Sequence, residues 1–251
     1  MSGWRRFLPK PGTSGTGEPG KGVSSFHLWW LDEPREPVVS VAVTLEVLEL
    51  PSVSRLYFWA LQATFTGDGR SFGGAHLGLQ WNPRYPGSRA ANWGGYANVG
   101  DVTSILEGSV SPLRSTPNDP NTRDYPWQQG VPYRLRISRS DAGWRGEITD
   151  TTTGQLQLVR DLFAPGERLT SATTWSEVFA RCDHPSAMVR WSQPEWATAS
   201  GDVLSPTRVR ATFPSGGDCP NTEIGVDAVG VWQRTNTSRT HRDGDVLALP
   251  A

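Results

Sequence analysis

The segment HLGLQWNPRYPGSRAANWGGY, residues 76–96, combines aromatic rings with planar polar side chains at close spacing. That kit suits a sugar, which presents flat C–H faces inside a rim of hydroxyls. Rings supply contact area, while Arg, Asn, Gln and carboxylates supply paired, directional hydrogen bonds. Trp81, Tyr85, Trp93 and Tyr96 are the candidate plates, with Asn82, Arg84, Arg89 and Asn92 as their polar partners. Gly87, Gly94 and Gly95 would let the backbone approach a ligand. Trp127 ends the same passage, and Trp175 and Glu177 share one side of a later strand, so these three join the candidate ligand-binding set. The competing reading makes the same rings plugs at the ends of a core, with arginines stacked on them.

Catalytic arrangements find less support. Retaining glycoside hydrolysis needs two carboxylates about 5 Å apart, hence at i and i+2 or i+4 on a strand. Glu147 and Asp150 stand at i and i+3, on opposite sides. Glu177 and Asp183 share a side only if the strand runs unbroken toward Pro185. No G-x-S-x-G occurs, and His27, His76, His184 and His241 are scattered. Cys182 and His184 at i, i+2 do not make a nucleophile–base pair by themselves. The candidate set therefore contains no catalytic residues, no metal ligands and no cofactor. Asn118, Asp119, Asn121 and Asp124 offer oxygens to calcium, but such loops are commonly plain polar turns. The Gly-rich GDGRSFGG lacks the lysine and helix of a phosphate cradle.

These side chains must be positioned by strands. SFHLWWL sets Phe26, Leu28 and Trp30 against His27, Trp29 and Leu31, and VVSVAVTLEVL sets Val39, Val41, Val43, Leu45 and Val47 against a polar side. RLYFWALQATF is apolar on both faces and reads as a covered central strand, followed by a turn or loop at TGDGRSFGG and a returning GAHLGLQW strand. A long irregular passage is expected from about 82 to 130. Strands then resume through PYRLRI, GWRGEITD, GQLQLVRDLF, TTWSEVF, AMVRW, TRVRATF and EIGVDAVGVWQ, with a tight reversal at 151–154. Trp30, Trp59, Trp144, Trp191 and Trp232 are expected in core or sheet packing. Residues 1–22 read as a flexible arm, 23–235 as one β-sandwich domain, and 236–251 as a loosely ordered tail.

The totals agree with an all-β body. The 251 residues include 27 Gly and 20 Pro, favouring short strands and turns over helices. A net charge of −1 gives no general attraction to nucleic acid or anionic membrane. No eighteen-residue apolar run offers a spanning helix, and the N-terminus shows no signal-peptide pattern, so the expected compartment is the cytoplasm. Cys182 and Cys219 are free and buried in a reducing compartment, or paired as a disulfide in an exported chain.

Three stretches, YPWQQGVPYRLRI, GWRGEITDTTTGQLQLVRDLFAPG and WSEVFARCDHP, resemble a family of uncharacterised bacterial proteins with a concanavalin A-like, lectin/glucanase-like β-sandwich. The resemblance implies two curved antiparallel sheets in a jelly roll with long irregular loops. Its members are often exported, which makes secretion the alternative address. It implies no activity, since one sandwich hosts lectins, hydrolases, lyases and structural modules. The expected function is a non-catalytic carbohydrate-binding module for an oligosaccharide or glycan. The alternatives are a polysaccharide-acting hydrolase or lyase using Glu177, and a structural or protein-interaction domain.

Overall fold

The computed structural model describes residues 24–99, 102–213 and 219–250. The arm expected over 1–22 lies outside the described residues. Those described form seventeen strands and one 3-10 turn, with no α-helix among them. The strands are β1 (Ser24–Trp30), β2 (Val38–Glu49), β3 (Tyr57–Gly67), β4 (Arg70–Trp81), β5 (Arg89–Val99), β6 (Val102–Ile105) and β7 (Thr122–Asp124). They continue as β8 (Pro132–Ser140), β9 (Gly143–Asp150), β10 (Leu156–Leu162), β11 (Arg168–Val178), β12 (Met188–Thr198) and β13 (Val203–Leu204). The last four are β14 (Arg208–Thr212), β15 (Glu223–Val226), β16 (Val231–Arg234) and β17 (Val246–Ala248).

Their antiparallel pairings make two arms. The first runs β17–β14–β1–β11–β3–β4–β5, with β6 and β7 both on β5. The second runs β10–β9–β8–β2–β12–β16–β15, with β13 also on β12. A single register pair, Leu169 with Val38, joins β11 to β2 and makes the whole one hydrogen-bonded system. The arms pack face to face through one apolar core. Phe65 of β3 stacks on Trp144 of β9 with centroids 5.2 Å apart, and Trp30 of β1 meets Trp196 of β12 edge-on at 5.8 Å. The expected two-layer antiparallel body is therefore present. Alternation in β1 and β2 predicts the buried Phe26, Leu28, Trp30, Val41, Val43, Leu45 and Val47.

One expectation about connections holds and one fails. Of the turn or loop expected within TGDGRSFGG the structure has the turn: Asp68 and Gly69, at φ 48° and 71°, form a two-residue reversal between β3 and β4, and the remaining residues belong to those strands. The long irregular passage, however, contains strand β5, which pairs with β4 from Gly73–Ala97 to Trp81–Arg89. NWGGYAN lacks alternation because its glycines lie where neighbours come close. A Cβ on Gly95 would lie 2.1 Å from the Gly74 carbonyl oxygen, and one on Gly94 2.3 Å from the Asn121 side chain. The C-terminal residues expected as a loose tail carry β17, which pairs with β14 and buries Leu247.

Candidate functional site

The face of the first sheet turned away from the main core holds a polar depression above a small aromatic floor. Three register rows build it. Ser25, Glu177, Phe58 and Gln80 are aligned across β1, β11, β3 and β4, and His27, Trp175, Ala60 and Gly78 form the next row. The third row is Trp29, Thr173, Gln62 and His76. In the middle row the small Ala60 and Gly78 leave a hollow beside Trp175. Gly78 must be small, since a Cβ there would lie 1.9 Å from the Trp59 carbonyl oxygen. The hollow has a volume of about 180 Å³, and Ser25, His27, Gln62, His76, Tyr96 and Glu177 stand around Phe58 and Trp175.

The floor is preorganised. Phe58, Ala60 and Trp175 form an apolar cluster separate from the main core. Trp175 meets Phe58 edge-on at 4.8 Å and His76 edge-on at 5.7 Å, and lies 6.1 Å from His27. Its indole N–H donates to Gln62 Oε1 at 3.0 Å. That bond fixes the Gln62 carbonyl and leaves its amide hydrogens as donors. Tyr96 stands at the rim, 46% exposed, with its ring edge-on to His76. Burial holds His76 down at about 4 and lowers His27, so at neutral pH both imidazoles are uncharged. Further along β5 and outside the hollow, Asn92 Nδ2 donates to Thr122 Oγ1 at 3.0 Å, and the Asn121 side chain lies against Gly94.

Of the residues proposed from sequence, the hollow gathers Tyr96, Trp175 and Glu177. The rest build its surroundings. Trp93 and Trp127 are sealed at 0% and 1% exposure; Trp127 donates its indole N–H to the Gln80 carbonyl at 3.1 Å beneath the Arg89 guanidinium. Trp81 is half-buried and donates to the Val53 carbonyl at 3.0 Å. Asn82 is buried, donating to Gln80 Oε1 and accepting from the Arg84 amide. Tyr85 is buried and donates to the Thr122 carbonyl at 3.1 Å, while Arg84 is exposed and pairs with Asp119 at 3.5 Å. Asn92 is buried against Thr122. In the loop offered to calcium, Asp119 accepts from the Thr122 amide and faces Arg84, and Asn121 Oδ1 accepts from Arg160. No group of three or more His, Cys, Asp and Glu suited to a metal occurs among the described residues.

Sequence reading missed Ser25, His27, Phe58, Gln62 and His76. The available signal was polarity: Gln62 lies between Leu61 and Ala63, His76 between Ala75 and Leu77, and His27 between Phe26 and Leu28. Cys182 and Cys219 form a disulfide with their Cα atoms 5.2 Å apart.

No protein-family model and no curated protein matches the chain. Among solved structures it is similar to Scytalido-glutamic peptidase bound to a peptide-based transition-state analogue. That match has 11% identity and a TM-score of 0.43, over 88% of this chain and 99% of the other. It is also similar to SCP-B, a member of the Eqolisin family of peptidases, in complex with the tripeptide Ala-Ile-His. There the identity is 12% and the TM-score 0.45, over 88% and 99%. A third likeness is to the enzymatically active domain of bacteriophage CBA120 tailspike protein 2, at 16% identity and a TM-score of 0.33, over 76% of this chain and 24% of the other. These overlaps are too loose to bear on activity or substrate.

Proposed function

We propose that the hollow is an acid–base site that hydrolyses an acyl bond, amide or ester, in a polymer lying across the strands, with Glu177 as the proton-transfer group. The supporting observation is the composition of the hollow: one carboxylate, two uncharged imidazoles and an oriented amide around an aromatic floor. Perturbed titratable groups gathered in a concavity are the usual mark of an active site. A single carboxylate does not suit glycoside hydrolysis, which uses two. It does suit water attack on a carbonyl. Glu177 takes the proton from the attacking water and returns it to the leaving amine or alcohol, while the Gln62 amide donates to the developing oxyanion.

A second reading is the glycan-binding module expected from sequence, on a two-layer body taken as a concanavalin A-like jelly roll. The exposed Tyr96 ring at the rim, beside the planar Gln62 and Glu177 groups, favours it. Either reading fits an oxidising, extracellular setting, which the Cys182–Cys219 disulfide supports.

One experiment separates them: peptide and ester turnover, and glycan binding, measured on the intact chain and on Glu177→Gln. The hydrolytic reading expects turnover that falls about 100-fold or more in the variant, at an unchanged melting temperature. Glycan binding without turnover in both proteins would replace it with the second reading. Silence on both panels would remove both.

A further inference from the structure

The edge where β5 and β7 of one sheet meet β10 of the other carries two buried arginines. β10 turns Arg160 inward opposite Gly146, whose Cα packs on the Trp93 ring so closely that a Cβ would lie 2.7 Å from it. Arg160 is 5% exposed, and its guanidinium donates to the Trp93 carbonyl at 3.2 Å and to Asn121 Oδ1 at 2.7 Å, both neutral acceptors. Its Nε–H is buried with no acceptor, as is the Trp93 indole N–H. On β7, Arg123 is also buried and donates to the carbonyls of Thr122, at 2.9 Å, and Asp119, at 3.4 Å. Neither arginine makes an ion pair among the described residues, whereas Arg145 on neighbouring β9 forks onto Asp161.

The charges oppose one another. Burial first, and Arg123 second, pull Arg160 down to about 10, which still leaves it charged at neutral pH. Asp119 helps to offset Arg123, but its carboxylate already accepts from the Thr122 amide and faces Arg84. Arg160 has no such partner. A buried cation is tolerated when a counter-charge accompanies it. Guanidinium and indole groups can only donate, so the missing group must be an acceptor. Water would satisfy one N–H and leave the charge standing.

We infer that this edge holds a small inorganic anion of the halide class, accepting hydrogen bonds from Arg160 and balancing the charge of the Arg160–Arg123 pair. The site lies apart from the hollow around Trp175 and is independent of its function.

The test is thermal unfolding at constant ionic strength, with sodium gluconate exchanged stepwise for sodium chloride or bromide. The expected result is a saturable rise in Tm of about 3 °C with halide, absent in Arg160→Met. A Tm indifferent to the anion, or a halide response that persists in Arg160→Met, overturns the site. Should that variant fail to fold, a bromide anomalous-difference map of crystals of the unaltered protein decides. A peak beside the Arg160 guanidinium supports the inference and an empty map ends it.

Discussion

His76 stands half-buried among Phe58, Trp175 and Tyr96, and burial lowers its pKa. Its folded value of about 4 lies below the ordinary 6.5. Between those values the unfolded chain binds more protons than the folded one. His76's contribution to stability is therefore full above about pH 6.5, falls as the solution is acidified, and levels off below about 4. His27 is shifted in the same direction and adds to the slope. A denaturant-midpoint series should show this loss, and His76→Gln should flatten it. A slope unchanged in the variant would place the acid sensitivity elsewhere. The same residue scale limits what could be read from sequence. Trp175 and Glu177 were legible because i, i+2 spacing on one strand puts them on one side. Their companions come from β1, β3 and β4, and only register brings His27, Gln62 and His76 to them.

At the scale of elements, alternation exposed β1 and β2 in the sequence: β1 buries every second residue, and β2 buries Val41, Val43, Leu45 and Val47, although Ser40, Ala42 and Thr44 on its other side are covered as well. β5 was hidden. Its identity as a strand comes from pairing with β4 and from close approaches that only glycine allows, both of which are long-range facts. Trp93, one of the indoles that suggested a binding loop, is for the same reason cross-sheet packing. Gly146 of β9 makes the point testable. Its missing side chain is the space that Trp93 of β5 fills, and Trp93 is fully buried with no room to retreat. Gly146→Ala should cost about 2 kcal/mol through overpacking, read from the urea midpoint, while leaving the hollow on the opposite face of the first sheet functional. A neutral effect would mean the two layers can separate locally at that edge.

For the whole molecule, the pairing scheme carries the chain from one layer to the other: β12, with β13 beside it, belongs to the second sheet and β14 to the first. These lie inside the loop closed by the Cys182–Cys219 disulfide, whose ends are 37 residues apart. Closing a loop of that length removes unfolded-state freedom worth about 4 kcal/mol in the chain-entropy account. Replacing both cysteines by alanine should lower the unfolding free energy by about 2–4 kcal/mol without moving the side chains of the hollow. Little or no change would show that the unfolded chain is already compact there. The presence of the bond could not be read from sequence, because spacing alone left pairing and burial equally open.

The same sulfur bridge decides the fate of a nicked chain. The turn at 200–202 is exposed, with Gly201 at φ 97°, and it lies within the closed loop. A protease cutting there would yield two pieces that migrate together on a non-reducing gel and part only after thiol treatment. Such a molecule could lose a peptide bond in a digestive medium and keep its shape.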